Sequence, residues 1–292
     1  MKQVEVNGVE LRVIDEGEGP ALLLLHGFTG SAESWDHVTH ELTSRFRVIR
    51  VDLLGHGASS APPDPRRYAL PLAAADLAGL LDHLAVPKAC VVGYSLGGRV
   101  ALHLALSAPE RVAALVLESA SCGIADPEER AARRAQDEAL AEKILREGIE
   151  AFVAYWEKLP LFASQERLPR AVQEAQRRIR LNQRADGLAA SLKGAGAGAQ
   201  EWLLPQLPQL TMPVLLIVGS LDTKYCQVAQ EMNAALRSSR LRVVEGAGHN
   251  VHLEKPGQYI RELQTFLAEV IERSVFDGAF SHGPLAKIRK GG

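Results

Sequence analysis

The chain has 292 residues, 47% of them hydrophobic, and a net charge of -2 from 33 basic and 35 acidic side chains. That is enough apolar material for one large core or two small ones, and the near-balance of charge leaves no basic excess for nucleic acid or an anionic membrane. Met1 to Val6 alternates and carries charge, unlike a secretory signal, and the longest apolar runs, Ala21 to Leu25 and Val214 to Val218, are too short to span a bilayer. A cytoplasmic protein is expected. Cys90, Cys122 and Cys226 are widely spaced and odd in number, which fits reduced packing thiols.

In chain order, Val4 to Val6 and Leu11 to Ile14 flank Asn7-Gly8 and predict a hairpin. Apolar runs that read as strands buried on both faces follow at Ala21 to Leu25, Val48 to Asp52, Cys90 to Val92, Ala114 to Leu117, Val214 to Val218 and Leu241 to Val244. Segments of helical period lie between them: Ser31 to Leu42, Leu72 to Leu84, Leu96 to Ser107, Gln227 to Leu236 and Gln258 to Glu272. This alternation predicts an α/β fold with a mainly parallel sheet, helices on both faces and an antiparallel start. From Cys122 to about Leu210 the strand signal stops, and an Ala, Glu, Arg and Gln-rich helical pattern takes over. The expected organisation is a core of residues 1–121 and 211–274, a helical lid of 122–210 inserted between two strands, and a loosely held extension of 275–292.

Gly93-Tyr-Ser95-Leu-Gly97 joins a strand to a helix, and this spacing presents a serine hydroxyl on a strained turn at the sheet edge. A serine is a weak nucleophile or base unless a histidine takes its proton and an acid orients that histidine. Asp222 follows the strand ending at Val218, and His249 follows the strand ending at Val244, so the chain order is Ser, Asp, His. Taken alone, Asp222 could be a helix cap and His249 a loop histidine; Glu118, at another strand end, is the competing acid. His26-Gly-Phe28-Thr-Gly30 follows the first buried strand, so the backbone N–H groups of Phe28 and Leu96 are candidates for an oxyanion hole. Asp52 and His56 read as parts of a tight structural turn. No P-loop, dinucleotide fingerprint or metal-ligand spacing occurs, so no cofactor and no metal are expected.

Together these motifs resemble the α/β-hydrolase superfamily over nearly the whole chain. Arg99 departs from the general pattern. It lies on the first turns of a helix expected to be buried, where a guanidinium needs an anion: a protein carboxylate or a substrate carboxylate. Gly93-Tyr-Ser-Leu-Gly-Gly-Arg99, Glu128 to Arg133, Trp156 with Leu161-Phe-Ala-Ser164, Arg180 before Gly187-Leu-Ala-Ala-Ser-Leu, Gly219 to Tyr225 and Ala247 to His252 are similar to the 2-succinyl-6-hydroxy-2,4-cyclohexadiene-1-carboxylate synthases of menaquinone synthesis.

That resemblance implies a lyase that expels pyruvate from 2-succinyl-5-enolpyruvyl-6-hydroxy-3-cyclohexene-1-carboxylate. It also implies that Arg99, Arg133 and Arg180 bind carboxylates of a small polycarboxylate substrate and that Tyr94, Trp156 and Phe162 line the pocket. On their own, Arg133 and Arg180 read equally as solvated faces of amphipathic lid helices and the aromatics as lid core; Arg130, Arg134, Arg177 and Arg178 keep that reading. A serine hydrolase of an acidic ester or carbon-carbon bond is the alternative activity, and an idle binding protein on the same fold is a third class.

Overall fold

The computed structural model describes residues 1–276. β1 (Lys2–Val6) and β2 (Val9–Glu16) form the antiparallel hairpin, with Val6 opposite Val9 around Asn7 and Gly8. β3 (Ala21–Leu25), α1 (Asp36–Leu42), β4 (Arg47–Val51), α2 (Leu70–His83), β5 (Ala89–Tyr94), α3 (Leu96–Ser107) and β6 (Val112–Glu118) follow in alternation. The expected first helix is divided: Ala32–Trp35 is a 3-10 turn capped by Ser31, and only then does α1 begin.

The sheet has eight strands in the order β1-β2-β4-β3-β5-β6-β7-β8, and all pairings from β4 onward are parallel. β3 shows why its sequence is apolar without alternation. Leu23 and Leu25 enter the core under α2 and α3, whereas Leu22 and Leu24 enter the core on the opposite face, with α1 and the carboxy-terminal helix. All four are fully buried, each contributing about 2 kcal/mol of apolar burial.

After β3 the chain steps to one side to make β4, then crosses to the other side to make β5. Loops leaving β3 and β5 therefore diverge and open a crevice at the carboxyl ends of the strands, the usual ligand position in open α/β sheets.

The chain between β6 and β7 (Val214–Gly219) holds α4 (Pro127–Trp156), a 3-10 segment at Pro160–Arg167, α5 (Arg170–Leu181) and α6 (Ala185–Ala195). α4 starts on an Asp126 cap and is broken at Gly148, whose φ of 80° and ψ of 175° are not helical. The glycine-rich stretch after α6 is a packing device. A Cβ on Gly198 would collide with the Arg134 backbone amide, and the Gly198 N–H donates to Asp137 of α4 at 3.1 Å.

The sheet resumes in β7, α7 (Thr223–Ala235) and β8 (Ser239–Val244). α7 begins four residues before its apolar periodicity because Asp222 caps it, accepting from the Tyr225 N–H at 3.2 Å. β8 is an exposed edge strand whose Arg240 and Arg242 pair with Glu269 and Glu262, charges that also discourage edge-to-edge pairing. α8 (Val251–Glu254) and α9 (Pro256–Phe276) close the chain. α9 carries past the expected core boundary at 274 to Phe276, and the rest of the expected extension lies outside the described residues. Among the described residues, no helix is long and apolar enough to cross a membrane.

Candidate active site

Ser95 is the residue between β5 and α3, with φ 50° and ψ -109°, in the left-handed region that L residues avoid. The turn is this tight because its flanking glycines let backbone meet backbone: a Cβ on Gly97 would collide with the Leu25 carbonyl, and one on Gly93 with the Gly97 carbonyl. The Ser95 N–H is anchored on the Glu118 carbonyl of β6 at 2.9 Å.

His249 reaches Ser95 from the loop after β8, its Nε2 lying 3.2 Å from Ser95 Oγ. On the other side, His249 Nδ1 lies 2.7 Å from Asp222 Oδ2. An ionised carboxylate accepts only, so Nδ1 carries the proton and Nε2 is left to accept from the serine hydroxyl. Asp222 does both jobs that its position offered: one oxygen caps α7 and the other holds His249.

The competing acid goes elsewhere. Glu118 is fully buried and accepts from the His252 backbone N–H at 3.0 Å while its other oxygen takes His252 Nδ1 at 2.7 Å; the His252 ring stacks on Trp35 at 4.1 Å. Asp52 and His56 are structural, as expected: Asp52 accepts from the Ala32 and Ala58 amides at 2.7 and 2.8 Å, and His56 is buried beside His26.

Phe28 and Leu96 both line a cavity of about 180 Å³ that opens on Ser95 and His249. Among the described residues, neither backbone N–H has an acceptor, which leaves both for a ligand oxygen. Tyr94, Trp156 and Phe162 line the same cavity, and Trp156 packs edge-on to Phe28 at 5.4 Å and beside Phe162 at 5.5 Å.

Of the three arginines, two converge here. Arg99, only 9% exposed, and Arg133 both line the cavity. Arg180 is not part of that lining: its guanidinium stands over the Phe162 ring, 5.2 Å from the centroid, and on Glu157 and Gln165 at 3.3 Å each.

These arrangements can be set beside known proteins. Residues 20–256 match the family model described as the alpha/beta hydrolase fold. A Bacillus subtilis (strain 168) protein provisionally named 2-succinyl-6-hydroxy-2,4-cyclohexadiene-1-carboxylate synthase is 44% identical over 266 residues, 90% of this chain and 97% of that protein. The chain belongs to this synthase family, within the α/β hydrolases. The structure of MenH from S. aureus is similar at a TM-score of 0.85 and 32% identity, covering 89% of this chain and 98% of that one. A thermophilic esterase from Thermogutta terrifontis, solved with malate bound, follows at a TM-score of 0.82 and 30% identity, covering 92% and 99%.

The electrostatics of this family member centre on Arg99. Its Nη1 donates to the Ala195 carbonyl at 2.8 Å, and among the described residues no carboxylate forms an ion pair with it. Burial pulls it down to about 10, so it remains charged at neutral pH. Arg133 is shared with Asp137, one turn along α4, at 2.8 Å. Tyr94, buried, and Tyr225, partly buried, are pushed above the ordinary phenol range by desolvation, and Tyr225 sits edge-on to His249 at 4.7 Å. Cys122 is buried and pushed up to about 12, so its thiol stays protonated at neutral pH and packs rather than reacts.

Tyr225, Lys224 and Glu254 escaped sequence reasoning. Glu254 accepts from the Gly248 and Asn250 amides at 2.7 and 3.3 Å, clamping the loop on both sides of His249. A glutamate five residues beyond the histidine was the visible signal, but it acquires meaning only when α8 folds back. Tyr225 and Lys224 stand on the first turn of α7 and face the cavity.

Proposed function

We propose that this enzyme eliminates pyruvate from 2-succinyl-5-enolpyruvyl-6-hydroxy-3-cyclohexene-1-carboxylate to give 2-succinyl-6-hydroxy-2,4-cyclohexadiene-1-carboxylate. The succinyl ketone oxygen sits between the Phe28 and Leu96 N–H groups, which acidifies the adjacent ring C–H. Ser95, its own proton drawn by His249 Nε2, removes that hydrogen, and Asp222 stabilises the imidazolium that results. The electron pair left on carbon forms an enolate in the hole. It then moves through the ring double bond to the far allylic carbon and breaks the bond from that carbon to the enolpyruvyl oxygen. The departing enolate takes up a proton and becomes pyruvate. No water enters, no acyl-serine forms, and no redox group or metal is called for.

The observation that carries this reading is Arg99: a buried, charged guanidinium on the wall of the cavity that holds Ser95, with no ion pair among the described residues, since Asp137 on the same wall is taken by Arg133 and the Gly198 amide. A buried unpaired charge is too costly to keep for stability, whereas forked donors suit a substrate carboxylate. Arg133 faces a second carboxylate from the lid, and Tyr94, Trp156 and Phe162 enclose the ring. Arg180 would reach substrate only by leaving Glu157.

The test supplies the enolpyruvyl precursor and follows pyruvate together with the diene product, by its ultraviolet absorbance, in heavy-oxygen water. Stoichiometric pyruvate and diene, with no labelled oxygen on the ring carbon that carried the enolpyruvyl group, support the lyase. The similarity to the malate-bound esterase favours a second reading, hydrolysis of an acidic ester through Ser95. Rapid turnover of activated esters with no pyruvate from the precursor would establish it.

A further inference from the structure

We propose that Lys224 and Arg167 form a second carboxylate subsite, across His249 from Arg99 and Arg133, that takes one carboxylate arm of the substrate. This rests on the polycarboxylate reading above. The cavity beside Ser95 measures about 180 Å³, below the roughly 300 Å³ at which small-molecule sites begin. A ring with three acidic arms overflows it. An adjoining cavity of about 340 Å³ shares Leu161, Lys224 and His249 with the first, and Arg167 stands on its other wall.

The charges in the two chambers are unequal to a three-armed anion unless both are used. Arg99 and Arg133 provide for two carboxylates, and Arg180 is occupied by Glu157. Among the described residues, the side chains of Lys224 and Arg167, both solvent-exposed, have no hydrogen-bond or ion-pair partner. The carboxylate on that wall, Asp222, is already committed to His249 at 2.7 Å and to the Tyr225 amide at 3.2 Å. Lys224 also occupies the first turn of α7, the end of a helix where the backbone dipole opposes a cation. An anion in the chamber would add to the Asp222 cap in offsetting that placement.

The arm could be the succinyl tail or the enolpyruvyl leaving group; both offer the same carboxylate, and their fragments separate them. The experiment measures KM and kcat for pyruvate release in the full chain, with succinate and pyruvate as inhibitors. In the K224A/R167A variant, with melting unchanged, KM rises about tenfold, by more than any fall in kcat, and its salt dependence flattens. The exchange K224R/R167K restores KM. Weakened inhibition by succinate alone assigns the succinyl tail, and by pyruvate alone the leaving group.

A KM and both inhibition constants within twofold of wild type overturn the subsite. If the wild type releases no pyruvate at all, the reaction reading fails instead. The subsite is then judged by calorimetric binding of succinate and pyruvate, where equal affinities in wild type and K224A/R167A overturn it.

Discussion

Ser95, Asp222 and His249 leave the ends of β5, β7 and β8, strands locked in register within one sheet, whereas Arg133, Trp156 and Phe162 are carried by inserted helices and a 3-10 segment. The sheet side uses backbone to fix side chains. Ser95 hangs from the Glu118 carbonyl, Asp222 is held by the amide it caps, and the amides on either side of His249 are clamped by Glu254. On the lid side, placement comes from side-chain packing, with aromatic contacts at 5.4 to 5.5 Å and an ion pair within a single helix. The difference teaches that backbone contacts fix the Ser95, Asp222 and His249 side chains in the core, while the lid places its share of the cavity wall by side-chain packing.

The largest expected effect tests the rigid side. Ser95→Ala should lower turnover by about a thousandfold or more, with melting close to wild type; a loss below tenfold, in the pyruvate assay, would mean His249 or water acts without it.

Acid should separate the two sides next. His26 and His56, beside the Phe28 loop, are held by burial at about 4 and about 3 instead of 6.5. Below 6.5 the unfolded chain takes up protons that the folded rings refuse, so this stability is fully present above 6.5. It falls with pH by about 1.4 kcal/mol per unit for each ring, down to about 4. His26 Nε2 accepts from the Leu53 N–H at 3.0 Å, a bond that protonation abolishes. Urea midpoints between pH 7 and 4 measure the slope, and His56→Asn should flatten it; an unchanged slope in that variant would place the ring in contact with water.

Arg99 links the two regions, since it stands on α3 and reaches the Ala195 carbonyl at the end of α6. Arg99→Met should cost about ten- to hundredfold in kcat/KM while raising stability by about 1 kcal/mol, because an unpaired buried charge gives way to apolar volume. Lower stability together with intact kcat/KM would instead make Arg99 structural. Smallest, Arg133→Ala should weaken kcat/KM several-fold with stability nearly unchanged, since its partner Asp137 keeps the Gly198 amide at 3.1 Å. A melting temperature that drops as far as activity would count against a binding role.

Legibility in the sequence follows the same division. The elbow around Ser95 was readable because its glycines are a steric requirement of the local backbone, and strand runs such as Leu22 to Leu25 were readable because both faces are buried. The choice between Asp222 and Glu118 rested on chain order alone; what separates them physically is that β6 delivers Glu118 to His252, a contact across 134 residues. In the lid, helical periodicity assigned helices but not neighbours. Arg133 and Arg180 look alike in sequence, yet the first faces the cavity and the second is turned to Glu157 by the packing of α5. Lys224 and Arg167 carried no signal, because a lysine on a helix turn and an arginine at the end of a 3-10 segment are ordinary surface residues until a chamber forms between them.

The break at Gly148 divides α4 into an arm that ends with Arg133 and Asp137 against Gly198 and an arm that ends with Trp156 over Phe28. An added Cβ would meet only Glu150, at 3.8 Å, so it is backbone conformation and not space that keeps a glycine there. One residue, remote in sequence from Ser95, thus works as a drafting compass: it sets the span between Arg133 on one arm and the Trp156 indole on the other, two walls of one cavity. A substitution that altered that bend would move both walls and leave Ser95, Asp222 and His249 where the sheet holds them.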